Sequence, residues 1–157
     1  MRIRSAGTGD AAVLAALRYE FRAEMDAPIE GRDAFEERMR AWWADRRRDQ
    51  WRAWIAVDGD EPIGEVFLQV VEKLPNPISE PERLGYVTSL YVTPAHRNAA
   101  VGGALLDCAL DDCRRDGLDT VVLWPSSRSR PLYRRRGFVE RGDVMELPLV
   151  PHPGRNA

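Results

Sequence analysis

Residues 84–124, LGYVTSLYVTPAHRNAAVGGALLDCALDDCRRDGLDTVVLW, change their hydrophobic period twice. The opening LGYVTSLYV is rich in β-branched and aromatic residues and reads as a strand. From Val101 the apolar positions Val101, Leu105, Leu106, Ala109, Leu110 and Cys113 follow helical spacing. Gly117 is suited to end that helix, because glycine accepts the left-handed backbone found there. LDTVVLW then reads as a strand of the buried type. Strand, helix and strand in that order form a βαβ unit, whose strands run parallel because the helix carries the chain back to the same end of the sheet.

On the N-terminal side, MRIRSA predicts a short strand, and TGD supplies helix-capping chemistry through Thr8 or Asp10. Residues 10–25 put Val13, Leu14, Leu17, Phe21 and Met25 on one helical stripe, with Arg18, Glu20, Arg22 and Glu24 pointing elsewhere. After Pro28 and Gly31, a second helix carries Phe35, Met39, Trp42 and Trp43 and ends in the charged run ADRRRDQ, where Arg46, Arg47 and Arg48 form a solvated face. WRAWIAV and IGEVFLQVV, joined by DGDEP, predict an antiparallel hairpin, and the prolines of EKLPNPISEPE mark a loop. On the C-terminal side a short helix is expected from about Arg130 to Arg136, with Ser129 as cap, Pro131 in its first turn and Gly137 at its end. FVERGDVMELPLV predicts a closing hairpin around Gly142-Asp143. The expected fold is α/β (α+β) in the order β-α-α-β-β-β-α-β-α-β-β: a mixed, mostly antiparallel twisted sheet with the parallel unit at its centre. It makes one domain over residues 1–157, with 151–157 as a frayed tail.

A chain of 157 residues holds one sizeable core, and 44% hydrophobic with 31% charged residues argues against disorder, collagen-like structure and a disulfide scaffold. A net charge of −2 lacks the basic excess of a nucleic-acid binder. No apolar run reaches the length of a membrane span, and MRIRSAGTGD has no signal-peptide core, so a cytoplasmic protein with no membrane partner is expected. Cys108 and Cys113 fall on roughly opposite sides of their helix, which suits neither a disulfide nor a metal. Reduced thiols and no metal site are the expectation.

Chemistry concentrates in YVTPAHRNAAVGGALL, where a strand passes through a loop of small residues into a helix. The first amides of a helix have no partner within it, and the macrodipole adds roughly half a positive charge there, so phosphate oxygens can be held by backbone N–H groups alone. Ala99, Ala100, Gly102 and Gly103 leave room for a phosphate, and Arg97 can add a charge-assisted contact. The competing reading is that these small residues only let the helix pack closely on its sheet.

RNAAVGGALL, preceded by LYVTP, resembles the acyl-CoA pyrophosphate loop of the GNAT superfamily of N-acyltransferases, with Arg97, Ala100 and Gly102 at its pattern positions. SRPLYRRRGF resembles the family's helix after the fifth strand, in which a Tyr precedes a Gly-Phe pair by four residues, here Tyr133, Gly137 and Phe138. The resemblance covers nearly the whole chain. It implies acetyl-CoA (CoA) as cofactor, with the pyrophosphate on Arg97, Asn98, Ala99, Ala100, Val101, Gly102, Gly103 and Ala104. It also implies that Leu90, Tyr91 and Val92 hold the pantetheine where strands four and five diverge, and that Ser126 and Arg130 complete the set. Tyr133 is implied as the acid that protonates the departing thiolate, since a phenol roughly matches an alkyl thiolate in pKa. The chain departs from the family in three places: Ala100 replaces a more frequent Gly, Thr88 and Ser89 stand where many relatives carry a Glu as base, and Ser126 stands where an Asn is common.

Candidates for the missing base are Glu65, Glu20 and a water-linked relay from Ser89, each competing with the plain reading of a carboxylate or hydroxyl facing solvent. His96 reads as a surface residue or a weak phosphate contact, and Arg134, Arg135 and Arg136 read as a solvated face, the alternative being that one of them meets the cofactor's 3′-phosphate. Trp42, Trp43 and Trp54 fall either in the core or in the acceptor pocket, and Trp124 falls near the cleft. The expected activity is acetyl transfer from acetyl-CoA to a primary amine of a small molecule, such as an amino acid, polyamine or amine-bearing antibiotic, by direct attack in a ternary complex. Its competitors are protein N-terminal or lysine acetylation and a non-catalytic acyl-CoA sensor. The expected partners are therefore the small-molecule amine substrate, with no nucleic acid, and a homodimer is allowed.

Overall fold

The structure, a computed structural model, describes residues 1–28, 30–45, 50–147 and 149. The chain divides into two compact units, residues 1–124 and 125–157, which are taken separately. The first contains β1 (Arg2–Ser5), α1 (Ala11–Ala23), α2 (Arg32–Asp45), β2 (Trp51–Asp58), β3 (Glu61–Glu72), β4 (Arg83–Val92), α3 (Val101–Arg115) and β5 (Val121–Val122). The strands form one sheet in chain order, with the first three pairings antiparallel and β4–β5 parallel. The mixed, mostly antiparallel sheet with its βαβ unit is thus present.

The parallel pair lies at the edge of this sheet, however, not at its centre, and β5 is far shorter than LDTVVLW led one to expect. Its two residues pair only with Gly85 and Tyr86, and Trp124 leaves the sheet to pack edge-on against the Tyr86 ring at 5.0 Å. Among the described residues β5 pairs with β4 alone, so no second ladder there holds it, and Val122 and Trp124 are exposed.

Side chains alternate across the sheet, and the two faces have different covers. On one face Ala53, Ile55, Val57 and Phe67 meet Ala11 and Leu14 of α1 and Trp43 of α2. Trp43 is fully buried and donates its indole N–H to the Gly7 carbonyl at 2.9 Å. On the other face lies α3: Arg52 of β2 pairs with Asp112 and, at 2.6 Å, with Asp116. The space above Gly85 is closed by Leu68 and Cys113. Before α1, a 3-10 turn (Thr8–Asp10) carries Asp10, not Thr8, into the capping position, where its carboxylate accepts the Gly7 N–H at 2.7 Å and is clasped by Arg4 at 2.6 Å. Arg46, Arg47 and Arg48 lie outside the described residues, as does the segment 151–157. Among the described residues no helix is long and apolar enough to cross a membrane.

In the second unit, α4 (Arg130–Arg134) forms within the expected stretch and is two residues shorter than it; the chain then turns at Gly137, whose φ of +87° lets Phe138 return its N–H to the Tyr133 carbonyl at 3.2 Å. Ser129 does not cap it. Its own backbone is helical and its hydroxyl donates back to the Ser126 carbonyl at 3.1 Å. The closing hairpin is absent from the described residues. Gly142-Asp143 does form a turn, but Val139, Val144, Met145 and Leu147 on either side of it are exposed. An alternating pattern specifies a strand only when its apolar face has something to cover, and an isolated two-stranded hairpin is marginal in water.

Candidate active site

β4 is regular until Thr88 and then bulges. Phe67 is opposite Thr88 and Glu65 opposite Tyr91, leaving Ser89 and Leu90 across from Val66 alone. Ser89 absorbs the extra residue with φ +52°, in the left-handed region. The bulge reverses the parity of the strand, because partners across an antiparallel pair share a face. Tyr91 is therefore turned to the α1 face, where Thr88 already points, instead of the α3 face. Gly64 makes the tight crossing feasible: a Cβ there would come within 2.6 Å of the Tyr91 carbonyl oxygen.

The parity change assembles a polar cluster under α1. Ser89 Oγ donates to Glu65 Oε1 at 2.9 Å and accepts from the Arg18 guanidinium at 3.2 Å. Glu65 is completely buried, and its other carboxyl oxygen, Oε2, has no hydrogen-bond partner. Burial pushes its pKa well above the ordinary carboxylate range, with the Ser89 hydrogen bond and the Arg18 charge opposing the rise. Two of the three sequence candidates for the base, Glu65 and Ser89, are thus in contact. The third, Glu20, is instead paired with Arg32 at 3.1 Å at the surface. Arg18, read from sequence as pointing away from the apolar stripe, lies one turn beyond the buried Leu14 and reaches β4; that spacing was the available signal.

Past the bulge, β4 continues to Val92 while β5 ends beside Tyr86, so the edge of β4 from Val87 to Val92 runs on beyond its parallel neighbour. Leu90, Tyr91 and Val92 belong to this stretch. The chain then passes through a 3-10 turn (Pro94–His96), in which Thr93 Oγ1 and His96 Nδ1 are 3.0 Å apart, and enters α3. Asn98 and Ala100 both have positive φ, 64° and 61°. The first helical bond of α3 is Ala104 N–H to the Ala100 carbonyl at 3.0 Å, so the amides of Val101, Gly102 and Gly103 have no carbonyl one turn back. Ala100 is the N-cap and offers no side-chain oxygen, and Asn98, Ala99 and Ala100 are exposed. Left-handed residues at 98 and 100 followed by an uncapped helix N-terminus form the kind of backbone arrangement that can accept an anion.

Alanine at φ 61° is strained, whereas asparagine tolerates that region. Ala100→Gly is therefore expected to raise stability by about 1 kcal/mol, read as a higher urea midpoint at unchanged slope. A lower midpoint would show that the left-handed backbone at Ala100 carries no such cost.

Arg97 does not extend to the open amides at the start of α3. Its Nε donates to the Val92 carbonyl at 3.0 Å, its Nη2 donates to both Glu24 carboxyl oxygens at 2.7 and 2.6 Å, and its guanidinium lies over the Tyr91 ring. The Tyr91 hydroxyl donates to the same Glu24 carboxylate at 2.8 Å, and burial together with Glu24 raises its pKa. This clamp ties the end of β4 to the end of α1. Glu24 carried no motif in the sequence that would have revealed it.

In the second unit, Tyr133 is buried and packs edge-on against Phe138 at 5.6 Å, and burial raises its phenol pKa. Ser126 Oγ lies 3.0 Å from Ser129 Oγ, and Arg130 pairs with Glu140 at 2.9 Å, as does Arg134 at 2.6 Å. Of the tryptophans, Trp43 and Trp54 are buried, whereas Trp42 is exposed and meets Trp51 edge-on at 5.3 Å. Both cysteines are free, Cys108 half-buried and Cys113 buried.

Known structures share this fold. The predicted acetyltransferase of Clostridium acetobutylicum, solved with acetyl-CoA, superposes with a TM-score of 0.76 at 21% identity, over 94% of this chain and 96% of that one. A GCN5-related N-acetyltransferase from Ralstonia eutropha JMP134 gives 0.74 at 27% identity over 93% and 97%. Glucosamine-6-phosphate N-acetyltransferase from Arabidopsis thaliana gives 0.70 at 14% identity over 95% and 98%. No curated protein matches the sequence. The sequence profile of the acetyltransferase (GNAT) family, by contrast, matches residues 14–138, from the first turn of α1 to the Phe138 that follows α4, and the chain belongs to that family.

Proposed function

We propose that the chain acts as one domain that acetylates a primary amine on a small molecule, the amine attacking directly in a ternary complex with acetyl-CoA. The observation that carries this reading is the run of uncapped amides at residues 98–103 following the open edge of β4, the strand whose Ser89 meets the buried Glu65 of β3. When bound, acetyl-CoA supplies an activated thioester carbonyl. The amides of Val101, Gly102 and Gly103 hold its phosphates. The edge of β4 at residues 90–92 takes the pantetheine in the manner of an added strand.

Ser89 has one donor and two acceptor lone pairs. The donor is committed to Glu65 and one lone pair to Arg18, which leaves a lone pair for an amine N–H. As the amine loses its proton, Ser89 Oγ accepts it and passes its own proton to Glu65 Oε1, so the fully buried carboxylate works through the hydroxyl. The Tyr133 hydroxyl donates the proton that the departing sulfur needs. The family position of Tyr133 supports that role.

Release of free thiol from acetyl-CoA with a panel of amines tests the activity, and its pH dependence tests the relay. Glu65 must be ionised to accept a proton, so kcat should rise with pH through a value above the ordinary carboxylate range. Glu65→Gln should remove that limb and lower kcat by about 10²- to 10⁴-fold, while any limb due to the amine itself persists. Stability carries the same signature with opposite sign. The folded state keeps the Glu65 proton where the unfolded chain releases it. That stabilisation is full below the unfolded pKa and is lost as pH rises toward the folded one. Glu65→Gln should accordingly flatten the fall of melting temperature with pH, and a variant with the wild-type kcat profile would remove Glu65 from the mechanism.

A further inference from the structure

Most arginines of the first unit are paired with carboxylates: Arg4, Arg32, Arg38, Arg52, Arg83 and Arg97 each have an acidic partner. Arg18 and Arg22 do not. Among the described residues no carboxylate is within ion-pair distance of either; Arg18 donates to Ser89 Oγ at 3.2 Å and Arg22 meets the Met25 sulfur at 3.5 Å. They are four apart on α1, where like charges disfavour each other. Arg18 is moreover half-buried, and desolvation lowers its pKa, with the Arg22 charge acting in the same direction and Glu65 opposing. Such a pair is costly unless something anionic joins it.

We infer that Arg18, supported by Arg22, binds a carboxylate carried by the acceptor, so that the substrate class is an amine that is also an acid. The inference rests on the acetyl-transfer reading of the same site and specifies its acceptor. Arg18 uses one of its five N–H donors on Ser89, leaving the fork available for a carboxylate. Through that one bond it fixes the distance between the anionic group and the hydroxyl proposed to take the amine proton. Beyond Arg22 the same flank of α1 borders a groove of about 270 Å³ against the start of α2, with the rings of Tyr19 and Phe35 in its wall, which offers room for the rest of the acceptor. The groove's own acids are engaged: Asp26 accepts the Ala27 N–H at 2.8 Å and Glu30 is held by Arg38 at 2.6 Å.

The test uses matched pairs, β-alanine with β-alaninamide and L-phenylalanine with L-phenylalaninamide, measured by calorimetric binding to the CoA-loaded protein and by KM in the thiol-release assay. At least one acid should bind about 10- to 100-fold more tightly than its amide. Arg18→Gln should abolish that preference by weakening only the acid, Arg18→Lys should restore part of it, and Arg22→Gln should reduce it. A purely structural role for Arg18 would weaken acid and amide alike. Equal binding of both members of every pair, or a preference that survives Arg18→Gln, overturns the inference, even if the amides are acetylated and the transfer reading stands. A preference for acids that depends on Arg18, in a protein that releases no thiol, upholds the carboxylate site and defeats the transfer reading.

Discussion

Tyr133→Phe is expected to lower kcat by about 10²- to 10⁴-fold at saturating acetyl-CoA while leaving the melting temperature close to that of the wild type. The substitution keeps the ring and its edge-on contact with Phe138 and removes only the hydroxyl, so a packing role predicts near-normal turnover. Burial penalises the phenolate, and the hydroxyl therefore remains protonated through the neutral range, the state an acid must be in before the sulfur departs. If Tyr133 supplies the proton, activity should also decline at high pH, as the phenol ionises above its ordinary value, and the variant should lack that decline. Wild-type kcat in folded Tyr133→Phe would return the residue to packing alone and leave solvent as the proton donor.

Gly102→Glu should reduce CoA affinity by about 10²-fold or more, measured by calorimetry on the folded variant. Gly102 is one of three residues whose amides precede the first helical bond of α3, where a phosphate would be held. A glutamate there brings both bulk and a negative charge to the anion's place. An acidic side chain in the first turn favours the helix itself, through the same partial charge that would attract phosphate, so loss of binding should not be loss of fold. A retained circular dichroism spectrum with lost CoA binding supports phosphate binding at these amides. Unchanged affinity would place the phosphates elsewhere.

The helices and the β2–β3 hairpin were legible because each is written in a local period. The stripe from Val101 to Cys113 is α3, DGDEP turns the hairpin, and the small residues between Pro94 and Ala104 lead into a helix whose first amides are open. Helix starts and tight turns depend on neighbours a few residues away, and the open amides at the start of α3 are built from nothing else. The same local reasoning misled for the segment after Phe138: alternation was present, but strands need a face to cover, and Val139, Val144, Met145 and Leu147 have none.

The sequence by itself determined the order of elements through α4, the parallel unit and the passage from β4 through small residues into α3. Tertiary structure decided the rest of the chemistry. Glu65 in an alternating strand reads as a solvent-facing carboxylate, and only the layer of α1 above β3 makes it the most deeply buried acid of the described chain. The contact of Ser89 with Glu65 depends on a bulge that reverses the parity of β4, and a bulge is a property of two paired strands rather than of either one. Arg97, the cationic residue of the loop motif, was drawn to Glu24, a partner 73 residues away, because an ion pair depends on distance in space and not along the chain.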